Sequence, residues 1–151
     1  MDGVLTDGTL LIIKGDEWIR KMHIKDGYAL QLAAKKNYNV VVLSKSSSQP
    51  VKERLGVLGV KDVFMKIANK KEKLKEYMQE RSLTPEQILY MGDDVPDYKC
   101  MEMVGLPVCP ADAVVDIKKI SKYISPIKGG EGCVRDVIEK VLKLHGKWEL
   151  E

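Results

Sequence analysis

The chain has 151 residues, 44% of them hydrophobic and 31% charged, and its formal net charge is +3. That size supports one hydrophobic core and predicts a single domain over residues 1–151. The lysines are scattered along polar faces, which argues against a nucleic-acid partner, and the apolar runs are too short to span a bilayer, which argues against a membrane role. Cys100, Cys109 and Cys133 are odd in number and lack metal-ligand spacing, so reduced, mostly buried thiols of a cytoplasmic protein are expected. Met1 is followed by an acid rather than by a basic and apolar leader, so no secretory signal is expected.

Asp2-Gly3-Val4-Leu5 has the character of a strand end. Thr9 to Ile13 and Trp18 to Ile24 are β-rich runs on either side of Lys14-Gly15-Asp16-Glu17, which predicts a hairpin. Asp26-Gly27 closes it, and Asp26 is placed to cap the following helix, whose buried stripe includes Leu30, Ala33 and Ala34. Asn39 to Leu43 is almost wholly apolar and ends at Ser44, as expected of a parallel strand covered on both faces.

Pro50 opens a helix to Leu58, stopped by Gly59. Val63 to Met65 is a short strand, and Asn69 to Arg81 is an amphipathic helix with Leu74, Tyr77 and Met78 inward. Thr84 to Gln87 has the spacing of a capping box. A short helix over Tyr98 to Val104 precedes a strand over Leu106 to Cys109, with Pro107 expected at its start or on a sheet edge. Val114 to Ile120 is helical, Tyr123-Ile124 a last strand, Gly129 to Gly132 a flexible loop, and Val134 to Leu144 a closing helix. Alternating strands and helices imply right-handed crossovers and an α/β fold with a mostly parallel, Rossmann-like sheet flanked by helices, plus the N-terminal β-hairpin.

The most informative stretch is Ile88 to Asp97. Its apolar run reads as a buried strand that enters Gly92, where glycine allows a tight turn, and then Asp93, Asp94 and Asp97. Such carboxylates sit at the C-terminal edge of the sheet, where open α/β folds bind ligands. Clustered carboxylates repel one another and call for a cation, and hard oxygen donors suit Mg²⁺. Taken alone, the same residues equally describe a solvated turn with aspartates capping a helix.

Asp2-Gly3-Val4, Ser44 after Val40 to Leu43, Lys70 at a helix start, and Gly92-Asp93-Asp94 fall in order at successive element ends. This set resembles the haloacid dehalogenase superfamily of phosphatases. More narrowly, Asp2 to Gly8, Ile24 to Tyr28, Tyr90 to Asp94, Val104 to Ala113 and Gly129 to Arg135 resemble its capless, tetrameric subfamily. The resemblance covers essentially the whole chain.

It implies a Mg²⁺-dependent phosphatase acting on a sugar-acid phosphate in lipopolysaccharide sugar biosynthesis. The favoured substrate is 3-deoxy-D-manno-octulosonate 8-phosphate, with a nine-carbon keto-sugar acid 9-phosphate as the alternative. A homotetramer built through the hairpin is also implied. Asp2 matches the aspartate that protonates the leaving alcohol, a role suited to a carboxyl group. By resemblance its carbonyl also ligates the metal. Asp93 supplies a carboxylate to the metal, and Asp94 or Asp97 sits behind it to orient Lys70. Ser44 and Lys70 would bind the phosphoryl oxygens.

His23, Ile24, Lys25, Asp26 and Gly27 occupy the sugar-acid site, with Arg54 near it and Arg135 after the glycine loop that, in relatives, reaches a neighbouring subunit's active site. Read alone, Lys70 beside Lys71 and Lys73 is also described as a solvated helix lysine, His23 as an ordinary hairpin histidine, and Arg54 as a surface arginine.

The sequence departs from the family pattern in several places, among them His23 and Lys25, which stand where the family usually has asparagine and arginine. Met1 fills the apolar slot between two aspartates, so the nucleophilic aspartate would precede Met1 and the first central strand is missing from the chain. A misassigned or truncated start and a noncatalytic relative, which binds phosphosugar or serves as an assembly scaffold, both account for this. Lys45 follows Ser44 where the family has glycine, and Lys66 replaces a loop glycine, which costs stability if the backbone there has positive φ.

Overall fold

A computed structural model of the chain describes residues 1–15 and 18–149. The hairpin pairs β1 (Leu11–Ile12) antiparallel with β2 (Trp18–Ile19), Leu11 opposite Ile19 and Ile12 opposite Trp18. Of its expected turn, Asp16 and Glu17 lie outside the described residues. Helix α1 (Ile24–Lys35) follows, then β3 (Val41–Leu43), α2 (Gln49–Val57), β4 (Asp62–Phe64) and α3 (Lys70–Glu80). After a 3-10 turn at Pro85–Gln87 come β5 (Leu89–Met91), a 3-10 turn at Val95–Asp97, α4 (Tyr98–Met101), β6 (Leu106–Cys109), α5 (Val115–Ile120), β7 (Tyr123–Ile124) and α6 (Cys133–Leu144).

β3 pairs parallel with β4, and β5, β6 and β7 form a second parallel piece with β6 in the middle. Among the described residues β3 and β5 share no ladder. Side chains join them instead. Val42 of β3 and Met91 of β5 enter one apolar cluster with Met1, Leu55 and Val134, and Leu43 and Tyr90 enter another with Leu74 and Cys100. Leu55, fully buried, contributes roughly 1.5–3 kcal/mol to the first cluster.

Pro107 lies at the start of its strand, as expected, but not on an edge. Its carbonyl accepts from Lys122 N (2.8 Å), so Pro107 faces β7, and β7 begins pairing one residue later, at Val108. The donor that proline lacks therefore has no ladder partner to lose.

The caps show why several elements start where they do. Asn69 Oδ1 accepts from Glu72 N at 3.2 Å to begin α3, and Thr84 N donates to Gln87 Oε1 at 2.9 Å. α1 is capped by His23, whose Nδ1 accepts from Lys25 N at 3.2 Å. Asp26, expected in that role, caps a different helix. Its Oδ1 accepts from Arg135 N at 2.7 Å in the first turn of α6, which packs along α1.

The loop before α6 lies against the turn that follows Met1. Gly130 N donates to Val4 O (3.0 Å) and the buried Cys133 Sγ donates to the same oxygen (3.3 Å). Cys100, Cys109 and Cys133 are free and buried. No helix among the described residues is long and apolar enough to cross a membrane.

Candidate active site

The chain turns directly after Met1, whose carbonyl accepts from Val4 N (3.3 Å) and Leu5 N (2.9 Å). Gly3 stands at φ +81°, and a Cβ there would lie 1.9 Å from Asp93 Oδ2. Glycine is therefore required twice over, by backbone conformation and by the close approach of the Asp93 carboxylate. Asp93 projects from the C-terminal end of β5, as the Gly-Asp-Asp motif predicts. Gly92 is equally confined: a Cβ there would meet Asp97 Cβ at 2.5 Å.

Asp97 ties this end of the sheet together. Its Oδ1 accepts from Lys70 Nζ (2.7 Å) and Tyr90 Oη (2.8 Å), and its Oδ2 accepts from Asp93 N (3.3 Å). Lys70 is thus a buried partner of Asp97 and not a solvated helix lysine, with side chains 10% and 8% exposed. Asp94, the other candidate for that position, is turned away. It is exposed, and its Oδ1 accepts from Val95 N (2.7 Å) to cap the Val95–Asp97 turn.

Asp2 is held from three sides. Arg20 donates through Nε to Oδ1 (2.7 Å) and through a terminal nitrogen to Oδ2 (3.3 Å). Ser46 Oγ donates to Oδ2 (2.7 Å), and Thr6 Oγ1 donates to Oδ1 (3.4 Å). Ser44, buried at the end of β3, lies 3.0 Å from Ser46 Oγ. Burial acts to raise the Asp2 carboxyl, but the hydrogen bonds from Arg20 and Ser46 outweigh it and hold Asp2 below the usual carboxylate range.

Asp93 behaves in the opposite way. Burial, reinforced by the charges of Asp97 and Asp94, pushes it up to about 6. A hard carboxylate that disfavours its own charge in this way fits a divalent cation. No group of three His, Cys, Asp or Glu side chains converges among the described residues. Mg²⁺ does not need one, since one or two carboxylates with waters and substrate phosphate complete its shell.

The residues expected at the sugar acid are split. Ile24 is 78% exposed and Lys25 is exposed. Lys25 shares a surface cavity with Gly132 and Arg135. The Arg135 guanidinium is engaged by Glu139 (3.0 Å) and lies over the rings of Tyr28 and Trp148. Arg54 reaches over Gly27, where a Cβ would meet its terminal nitrogen at 3.3 Å.

Asp26, expected at the sugar acid, is a buried acid that accepts from Arg135 N. It is 1% exposed, its Oδ2 has no partner among the described residues, and burial raises its pKa. Lys66 stands at φ +57°, the strained case that its replacement of a glycine raises. Arg20, Ser46 and Tyr90 were not singled out by sequence reasoning.

This arrangement, acids at the ends of parallel strands with a buried lysine beside them, is that of a phosphohydrolase fold. The model for haloacid dehalogenase-like hydrolases matches residues 57–136, and the chain belongs to that family. Within it, the chain is similar to the 3-deoxy-D-manno-octulosonate 8-phosphate phosphatase of Salmonella typhi, 31% identical over 97% of this chain and 78% of that protein. The crystal structure of the Yersinia pestis phosphatase of the same name superposes with a TM-score of 0.93 at 29% identity, covering 97% of this chain and 79% of that one. The Moraxella catarrhalis phosphatase, solved with magnesium ion, phosphate ion and a KDO molecule, gives a TM-score of 0.90 at 26% identity, covering 94% and 82%.

Proposed function

We propose that this protein is a Mg²⁺-dependent phosphatase of a sugar-acid phosphate, with 3-deoxy-D-manno-octulosonate 8-phosphate as its substrate, in lipopolysaccharide sugar biosynthesis. The observation that carries the reading is the contact chain from Gly3 through Asp93 and Asp97 to Lys70. It brings Asp93 and Asp97 of one segment, Lys70 of a second and the turn that carries Asp2 to one end of the sheet, and relatives of the same fold bear that phosphatase name.

Bound Mg²⁺ would neutralise charge on the phosphoryl oxygens, held by Asp93 and the Asp2 carbonyl. Asp2 moves a proton to and from the leaving alcohol. Lys70, fixed by Asp97, faces the developing phosphoryl charge without reorganising, and Ser44 offers a hydroxyl to the same oxygens. Lys25, Arg54 and Arg135 supply positive charge for the substrate carboxylate. The setting is cytoplasmic, a reading supported by three free, buried thiols. A homotetramer is supported by the hairpin, where Leu11, Ile12 and Ile13 are 61%, 67% and 60% exposed.

The test is phosphate release from 3-deoxy-D-manno-octulosonate 8-phosphate with Mg²⁺ and with chelator. It is run on the 151-residue chain and on one extended ahead of Met1 by a β-strand ending in aspartate, the position of the family nucleophile. Mg²⁺-dependent release by either chain supports the phosphatase. Binding of the phosphosugar without release by either supports the noncatalytic alternative, and neither binding nor release defeats both.

A further inference from the structure

Arg20 is the buried arginine of this chain. Its side chain is 1% exposed, whereas those of Arg81 and Arg135 are 41% and 32% exposed. It leaves the hairpin just after Trp18 and Ile19 and turns inward. Its Nη1 is anchored on Trp18 O (3.3 Å), and its other nitrogens fork onto both oxygens of Asp2. Asp2 precedes Gly3, which packs against the Asp93 carboxylate, and Asp97 accepts from Asp93 N. Lys70 is committed to Asp97, and the cation in contact with Asp2 is Arg20.

A phosphate group entering this region brings further negative charge. An uncompensated carboxylate at Asp2 would repel it through a partly buried, weakly screened medium. We propose that Arg20 is a positioning residue that masks the charge of Asp2 and fixes its carboxylate, so that a phosphorylated anion can occupy the space beside it. The inference rests on the phosphatase reading and adds to it a residue of the hairpin that none of the expected site positions includes.

The experiment measures binding of inorganic phosphate in Mg²⁺ buffer by titration calorimetry, so it does not depend on turnover. The proteins are the full chain, Arg20→Met, Arg20→Lys, Asp2→Asn and the Asp2→Asn/Arg20→Met double variant. Arg20→Met should weaken phosphate binding by roughly tenfold or more, since it leaves the half-buried Asp2 carboxylate without its cation. The double variant should bind within about threefold of Asp2→Asn alone, because no charge remains to be masked. Arg20→Lys keeps the charge and loses the fork, so it should retain most of the affinity.

Failure of the double variant to recover, with Arg20→Lys as weak as Arg20→Met, would mean that Arg20 only braces the hairpin, and the proposal falls. If the unaltered chain itself binds no phosphate, the phosphatase reading fails and takes the inference with it, an outcome distinguishable from the first. Unfolding of the same set guards against a collapsed variant. The double variant should melt at a higher temperature than Arg20→Met, and a lower melting point for it also overturns the proposal.

Discussion

Lys70 Nζ and Asp97 Oδ1 are 2.7 Å apart with both side chains almost wholly out of water. Removing one member of such a pair leaves the other charged and buried. Asp97 also receives Tyr90 Oη and Asp93 N, so its loss strands three donors at once. Asp97→Ala should therefore cost about 3–5 kcal/mol in urea unfolding. A loss below about 1 kcal/mol, the range of exposed pairs, would contradict this organisation of the site.

Asp93 gives a pH dependence of defined sign. Its folded-state pKa is raised from the ordinary 3.8 to about 6, so the folded chain binds more protons than the unfolded chain between those values. Its contribution to stability is present at low pH and declines as pH rises through that window. Asp2, shifted downward, acts only below the ordinary 3.8, where its stabilising contribution is lost as pH falls. Metal-free Asp93→Asn should show a flatter stability profile between pH 4 and 6 than the parent chain, by thermal melting (window from the Asp93 shift). An unchanged slope would mean that another group titrates there.

Two glycines make opposite predictions. A Cβ at Gly129 would stand 2.0 Å from Gly3 O, whereas one at Gly56 would meet nothing within 4 Å. Gly129→Ala should destabilise the chain by about 1–3 kcal/mol through overpacking and loosen the turn that carries Asp2. Gly56→Ala, inside α2, should stabilise it by about 0.5–1 kcal/mol. Denaturant midpoints for the pair check both signs.

The hairpin prediction concerns assembly. Ile12→Glu with Trp18→Glu places charge on exposed apolar positions and should shift the particle mass in sedimentation toward one chain, with melting of the fold itself little changed. If the parent already sediments as a single chain, the tetramer is wrong.

The elements and the acid cluster were legible because their signals are local. The apolar run into Gly92-Asp93-Asp94 identifies both strand and turn, and Asn69 starts a helix through its own side chain. Asp26 shows where such signals end. Its short acid marks a cap, but the helix that it caps begins more than a hundred residues later, a choice made by the packing of α1 on α6. Arg20 was invisible for the same reason. In a β-rich run it reads as a surface cation, and only closure of the hairpin base onto the 2–7 turn buries it. The hint available was indirect: acids packed at a strand end need counter-charges, and Lys70 alone is too few.

Cys133 lends the molecule a clock. Its thiol is wholly shielded, bonded to Val4 O, and raised to about 12 chiefly by burial, so in the closed state it offers almost no reactive thiolate. Alkylating reagents can reach that sulfur only during excursions that lift the turn beside Asp2. Its uptake of such a label should therefore be slow, and its rate should time the opening of the turn beside Asp2.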